Sequence, residues 1–471
     1  MHNKIKHYLD GWNLVQRYTE LPPLFYREQL TTSAPEPKMV LFNHKLAQSM
    51  GLNASTLEQQ PALFSGNILP PNAKPIAQAY AGHQFGYLSV LGDGRAVLLG
   101  EQVTPDGQHV DVQLKGAGQT PFSRRGDGLA ALGPMLREYI ISEAMYHLRI
   151  PTTRSLAVVL SGKDVMRERR QLGAVLTRIA ASHVRVGTFE FASSQGMFSD
   201  LKALADYCIE KYFPALNDGD YLGFLREVAQ RQAVLIAKWQ LVGFVHGVMN
   251  TDNVSIVGET IDYGPCAFLD VYNPSAVFSG IDTEGRYAYN NQPKIGAWNL
   301  ARFAEALLPL LDNNIAAAQA EIDAYHVSYR THWLTGMYSK LGIINPVDSD
   351  ASLVNDLLNL MSQFKLDYTA TMRALSEGRD VAELQHWQEH WQRRASQQPC
   401  GVDAALDIMK QNNPAVIARN NWVEHALSQA ENGNLSSIKE LLSALENPYE
   451  RSEKLANITE RVCNYKTSCG T

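Results

Sequence analysis

The stretch that most constrains this chain is His246-Gly247-Val248-Met249-Asn250-Thr251-Asp252-Asn253, followed by a short β-type pattern and then Ile261-Asp262-Tyr263-Gly264. It comes directly after a long amphipathic run in which Leu225, Val228, Ala229, Leu235, Ile236, Trp239 and Val242 recur at helical spacing. In the order helix, polar loop, strand, Asp-x-Gly, the side chains of Asn253 and Asp262 can offer hard oxygen ligands to one site. Such ligands suit Mg²⁺, which takes one or two protein oxygens and completes its shell with phosphate and water. An isolated Asp-Asn pair also fits an Asx turn at a helix end, so the order of elements carries the functional reading more than the pair does.

Upstream, the texture is that of a sheet. Gly92-Asp93-Gly94 is a tight-turn signal, and Pro105-Asp106-Gly107 lies between two apolar runs. Val110, Val112 and Leu114 alternate with Asp111, Gln113 and Lys115, which sends the Lys115 ammonium away from the apolar face. A glycine-rich stretch from Gly116 to Gly133, with the polar insertion Ser123-Arg124-Arg125-Gly126-Asp127-Gly128, precedes a helix opened by Pro134 and carrying Leu136, Ile140, Ala144 and Leu148 on one face. Leu156 to Leu160 and Ala174 to Ile179 read as further strands. Beyond Asp200 the pattern turns helical, with a second long helix from Trp298 to Leu311 and a short hairpin, Val254 to Val257 and Thr260 to Ile261, turning at Gly258-Glu259. From about Asp323 onward the chain is helical, with breaks near Pro346, Pro399, Pro414 and Pro448. The expected fold class is α+β: a β-rich N-terminal lobe over residues 1–190, a helical C-terminal lobe over 191–322, and a helical C-terminal extension over 323–471 packed on it.

Composition narrows the function. A formal charge of -6 argues against nucleic-acid binding, which needs a basic face. No stretch has the roughly 18 uninterrupted apolar residues of a membrane span. The first eight residues lack the apolar core of a secretion signal, and Asp10 and Glu20 are unlike a transit peptide, so a cytoplasmic monomer is expected. Cys208, Cys266, Cys400, Cys463 and Cys469 form an odd, scattered set without CxxC, which implies neither a disulfide framework nor a zinc site. Of the 13 histidines, all but His246 read as structural or surface residues.

The spacing around His246 is that of a protein-kinase catalytic loop, where a His is followed two residues later by the catalytic Asp and five residues after that by a metal-binding Asn. Asn253 and Asp262 fall on the two metal positions, but Val248 stands where the base should be. An aliphatic side chain cannot accept a proton, and Asp252 is the nearest substitute carboxylate. In a kinase-like bilobal fold Lys115 is the phosphate-binding strand lysine and needs an acid from the next helix. Glu138 is the best candidate, and Glu143 competes with it. Gly92, Gly94 and Arg95 form a short loop able to approach a nucleotide, although Val97 occupies the place of a third glycine and Gly-Asp-Gly alone is equally a hairpin turn. Arg178 and Arg185 flank a strand end where guanidinium groups could reach the far phosphates of ATP, or could be surface charges. The absence of GxxxxGK[ST] rules against a P-loop enzyme.

These features together resemble the selenoprotein-O family of protein adenylyltransferases, once regarded as pseudokinases. The similarity runs from about Leu24 to the C-terminus and is dense in Tyr80-Ala81-Gly82-His83-Gln84-Phe85-Gly86, in Gln113-Leu114-Lys115-Gly116-Ala117-Gly118-Gln119-Thr120-Pro121, in His246 to Asn253 and in Asp262-Tyr263-Gly264-Pro265. The resemblance implies a kinase-like fold that binds ATP flipped, with AMP passing to a protein Ser, Thr or Tyr hydroxyl and pyrophosphate leaving. It implies Lys115 and Glu138 as the ion pair, Asp252 as proton acceptor, and Asn253 and Asp262 as ligands of Mg²⁺ or Mn²⁺. Gly92, Gly94, Arg95, Lys115, Asp127, Gly128, Arg178, Arg185 and Asp262 would contact the nucleotide. It also implies redox control by a cysteine near the C-terminus, a place that Cys469 fits. A partner would come from the segment after Asp-x-Gly, which offers only Cys266. Two other readings compete with AMP transfer: a kinase moving the γ-phosphoryl group with Asp252 as base, and a non-catalytic nucleotide-binding scaffold.

Overall fold

The computed structural model describes residues 10–451 and 465–467. Cys463 and Cys469 lie outside the described residues; Cys266 is buried.

Ten strands make one antiparallel sheet: β1 (Leu14–Val15), β2 (Tyr26–Glu28), β3 (Lys38–Phe42), β4 (Ile76–Gln84), β5 (Tyr87–Gly92), β6 (Ala96–Val103), β7 (His109–Lys115), β8 (Ala130–Ala131), β9 (Arg154–Met166) and β10 (Arg170–Ala180). The main order is β2-β4-β6-β7-β10-β9-β3, with β1 on β6, β5 on β4 and β8 on β10. The expected turn between β6 and β7 is closed by Gly107 donating to Thr104 O at 2.9 Å and Thr104 donating to Gln108 O at 2.8 Å. Gly107 takes φ +81°, a left-handed conformation that favours glycine. The alternation along β7 also appears as expected: Val112 and Leu114 pack into an apolar cluster with Leu46, Leu57 and Phe64, and Lys115 points to the other side. That cluster lies under three short helices, α1 (His44–Ser49), α2 (Ala54–Leu57) and α3 (Pro61–Phe64).

Helix α4 (Leu132–His147) begins two residues before Pro134 and packs against β9 and β10. The rest is helical: α5 (Val186–Gln195), α6 (Phe198–Tyr212), α7 (Tyr221–Val242), α8 (Gln292–Leu307) and α9 (Ile315–Lys340), then α10 (Asp350–Gln363), α11 (Tyr368–Ser376), α12 (Gln385–Ser396), α13 (Gly401–Asn412), α14 (Asn420–Glu431) and α15 (Ser436–Leu445). The long helix α7 is capped by the Asp220 side chain, which accepts from Gly223 N at 2.8 Å, and is ended by Gly243 at φ +72°. Helix α9 runs without a break through residues 322 and 323. One large core joins Leu136 and Ile140 of α4 to Phe189, Phe224, Leu300 and Phe303 of the helical half, and reaches Ile438 and Leu441 of α15. Another, containing Trp387, Trp391, Leu357 and Met372, holds the C-terminal helices together.

The hairpin expected at residues 254–261 does not form. Ser255 bridges to Arg185 and Thr260 bridges to Thr152, so the two arms pair with other segments. The turn at Gly258 is present, with φ +77°, but tertiary partners take the backbone groups that a local hairpin would use. A two-residue pair, β11 (Phe244–Val245) just before the His246 loop and β12 (Ala267–Phe268) after the Asp-x-Gly, clamps the base of that segment.

Candidate active site

Lys115 ends β7 and is 6% exposed. Its Nζ donates to Glu138 Oε2 of α4 at 2.6 Å and to Asp262 Oδ1. Glu138, 2% exposed, also accepts from Arg178 Nε at 2.8 Å and Nη2 at 2.6 Å. Arg178 stands on β10 opposite Gln113 of β7, which places its guanidinium one strand over from Lys115. The competing acid, Glu143, points elsewhere and is held by Arg154 at 2.7 and 2.6 Å. Two cations and two carboxylates thus meet in one buried knot. Burial alone would raise the Asp262 carboxyl, but the charges of Lys115 and Arg178 outweigh it and hold the group well below the usual carboxylate range. The same balance, with Arg178 the leading charge and Lys115 next, lowers Glu138.

Asp262 is the member of the knot that reaches open space: its side chain is 35% exposed, against 7% for Lys115 and 3% for Glu138. Its backbone sits at φ +68°, and Gly264 N donates to Asp262 O at 2.8 Å. His246 steadies this segment from inside, with Nε2 2.9 Å from Ile261 O. Lys115, Glu138, Asp262 and Arg95 line a cleft of about 780 Å³, together with Arg167, Arg169 and residues of α14.

The loop from His246 to Asn253 closes as a single 3₁₀ turn, Thr251–Asn253. Asn253 donates through Nδ2 to Val248 O at 3.1 Å, which leaves its Oδ1 as an acceptor. Val248 itself is buried. Asp252 is 9% exposed, its Oδ1 is buried without a hydrogen-bond partner among the described residues, and burial pushes its carboxyl up to about 7. Arg185 donates through Nη1 to Asp252 O at 3.1 Å, stacks over Tyr80 at 4.2 Å, and keeps a buried Nη2 without a partner among the described residues. Among the described residues no three or more His, Cys, Asp or Glu side chains come together as a metal cage. That donor set fits a hard ion finished by phosphate oxygens and water better than it fits zinc. Asp262 and Asn253 would be the residues to hold such an ion, and Asp252 Oδ1 is a buried polar atom without a partner among the described residues.

The remaining expected contacts fall at the margin. Asp93 of the Gly92-Asp93-Gly94 turn faces inward, accepting from Gln78 N at 3.1 Å and Gln113 Nε2 at 3.2 Å. Gly92 has no room for a Cβ because Phe122 packs on it, and a Cβ on Gly94 would sit tightly, 3.1 Å from Phe122 O. Asp127 is exposed and gripped by Arg167 at 2.9 and 3.0 Å, and a Cβ on Gly128 would overlap Gly118. Arg178 spends its fork on Glu138 and Asp262.

The family model described as protein adenylyltransferase SelO matches residues 11–446. The chain belongs to that family. Among its relatives, the protein nucleotidyltransferase YdiU of Geobacillus kaustophilus is 54% identical over 98% of this chain and 99% of its own. That of Halalkalibacterium halodurans is 53% identical over 98% of each chain, and that of Bacillus mycoides 52% identical over 98% of this chain and 99% of its own. These names, given to catalysts, count against the scaffold reading.

In this SelO-family chain several residues at the site went unrecognised by sequence reasoning. His83, set aside above as structural or surface, has Nδ1 2.5 Å from Glu190 Oε1. Glu190 also accepts from Thr251 Oγ1 at 2.5 Å, and Thr251 Oγ1 accepts from His83 N at 2.7 Å. The triangle ties β4 and α5 to the residue preceding Asp252. Glu190 carries no motif of its own; the signal available was its partner His83, inside the dense run from Tyr80 to Gly86.

Proposed function

We propose that this protein transfers AMP from ATP to Ser, Thr or Tyr hydroxyls of other proteins, releasing pyrophosphate, on a kinase-like bilobal frame. In that frame residues 1–190 and 191–322 are the two lobes, and residues 323–471 are a helical extension packed on the second. The observation that carries this reading is Asp252. It is a carboxylate raised to about 7, with an oxygen lacking a partner among the described residues, four positions after the buried Val248 that replaces a kinase base. A base tuned near neutral pH is suited to accept a hydroxyl proton.

Each residue has a role in that reading. Lys115, fixed by Glu138, sets one positive charge against the phosphates, Arg95 in the same cleft supplies another, and Arg185 beside Asp252 a third. Arg178 acts through Glu138 and Asp262, keeping both ionised. Gly92, Gly94, Asp127 and Gly128 shape the rim over the nucleotide. The acceptor oxygen attacks the α-phosphorus as its proton passes to Asp252, the bond to the β-phosphate oxygen breaks, and pyrophosphate departs with that electron pair. Mg²⁺ or Mn²⁺ at Asn253 and Asp262 would neutralise charge on phosphate oxygens. No helix among the described residues is long and apolar enough to cross a membrane; a cytoplasmic site of action belongs to this reading.

The test is labelling of an acceptor protein with ATP carrying label at either the α or the γ position, followed by intact-mass analysis. Covalent label from the α position with the mass of one AMP is expected. Label from the γ position alone would replace this reading with phosphoryl transfer.

A further inference from the structure

The catalytic loop has a second set of neighbours, separate from those lining the nucleotide cleft. Asn250 accepts through Oδ1 from Phe85 N at 3.2 Å and from the Tyr287 hydroxyl. The rings of Tyr287 and Phe85 meet edge to face, 5.3 Å apart. Beside them Arg286 lies against Gly86 at the tip of the β4–β5 hairpin, with its guanidinium 4.7 Å from the ring centre of Trp298. Arg302 lies 5.1 Å from the same ring. Nε and Nη2 of Arg286 and Nε of Arg302 are buried without hydrogen-bond partners among the described residues. Asp282 gives both oxygens to backbone N–H groups of residues 286 and 287 at 2.9 Å, and Glu284, two residues before Arg286, is exposed. Arg302 pairs with the exposed Glu305 at 2.5 Å, through Nη2.

A guanidinium is all donor, and buried N–H groups left unmade cost free energy that an arriving carboxylate recovers. The same tip offers a second feature. Strand β5 pairs with β4 alone among the described residues, so its other edge is unpaired, and Tyr87, Leu88 and Val90 on it are 80%, 49% and 53% exposed. Exposed edges of this kind bind extended peptides as an added strand. The hairpin also covers the proton acceptor, since Gly82 of β4 touches Asp252. Gly82 pairs with Ser89 of β5, so a polypeptide on the free edge of β5 has only that strand between it and the strand that touches Asp252.

We propose that the β5 edge and the Arg286–Trp298–Arg302 cluster form the acceptor-binding surface, taking an extended segment with an Asp or Glu side chain close to the modified hydroxyl. This rests on the AMP-transfer reading above.

The experiment uses the full chain, ATP, and peptides bearing one Ser, Thr or Tyr flanked by Glu, Ala or Lys. The wild-type protein is expected to favour Glu-flanked over Ala-flanked peptides by about tenfold in kcat/KM, mainly through KM, the size of one well-placed charge-assisted contact. Arg286→Lys keeps the preference, and Arg286→Glu turns it toward Lys-flanked peptides, a reversal that misfolding cannot produce. N-methylation at alternate backbone positions of the peptide lowers transfer by blocking strand pairing. Equal use of the three peptides, an unchanged Glu preference in Arg286→Glu, or loss of ATP binding in Arg286→Lys overturns the proposal while leaving AMP transfer standing. Failure of the wild-type protein to transfer AMP to any peptide or protein overturns both.

Discussion

Gly82 and Asp252 share a space that admits only one side chain: a Cβ on Gly82 would overlap Oδ1 of the aspartate. The strand residue keeps the catalytic-loop carboxylate in place by having nothing there itself. Gly82→Ala is expected to displace Asp252 and cut AMP transfer by about a hundredfold, the usual worth of a positioned base. Its stability should fall by only about 1–3 kcal/mol, the usual cost of overpacking. Steady-state labelling and thermal unfolding measured together check this; full transfer activity in Gly82→Ala would show that Asp252 is not the base.

Glu138 is the buried acid shared by two buried cations, Lys115 and Arg178. Glu138→Ala leaves both charges in a low-dielectric site without their main partner, a change that costs about 3–5 kcal/mol in comparable pairs. Urea unfolding should show that loss, and Arg178→Met combined with Glu138→Leu should recover much of it while transfer stays absent. A Glu138→Ala protein as stable as the parent would mean the knot is not a structural unit.

Lys340 gives a pH dependence far from the site. It is 3% exposed, sits 5.4 Å from the Tyr368 ring centre, and burial lowers its amine from 10.5 to about 7. Between those values the unfolded chain binds the proton and the folded chain does not, so stability climbs as pH rises from 7 toward 10. Lys340→Met removes this titration. Its gain in Tm over the parent should be largest below pH 7 and shrink toward pH 10, as differential scanning fluorimetry across that range can read. A gain independent of pH would mean the amine stays charged when folded.

The proposed metal site at Asn253 and Asp262 makes transfer depend on a divalent ion. Chelation is expected to abolish labelling, and Mg²⁺ or Mn²⁺ to restore it in the parent but not in Asp262→Asn or Asn253→Ala. Transfer that persists in excess EDTA would remove the metal from the mechanism.

Much of this was legible in the amino-acid sequence because it depends on local rules. The period of two along β7 aimed Lys115 away from Val112 and Leu114, and the turn chemistry of Pro105-Asp106-Gly107 joined its strand to the one before. The apolar stripe and glycine stop of α7 delivered the loop from His246 to Asn253 to its end. The spacing of that loop, with Val248 where a kinase base would stand, is what put Asp252 forward as the proposed base and Asn253 and Asp262 as the proposed metal ligands. Order placed the partner acid of Lys115 on α4 and left Glu143 beside Glu138 as a competitor; the structure gives Lys115 to Glu138 and Glu143 to Arg154.

Only the tertiary structure decided the rest. Arg178 binds Glu138 and Asp262 because β10 pairs with β7, a register no local pattern reveals. Residues 254–261 abandon their hairpin because the segments around Arg185 and Thr152, distant in sequence, take the backbone groups: Val184 and Val186 bond Ile256 and Val254, and Pro151 and Thr153 bond Thr260. His83 and Glu190 meet Thr251 only because β4 packs on α5. The physical reason is common to all three: sequence periodicity reports which face of an element is apolar, whereas ion pairs, backbone bridges and shared space depend on which elements become neighbours, and that is set when the whole core closes.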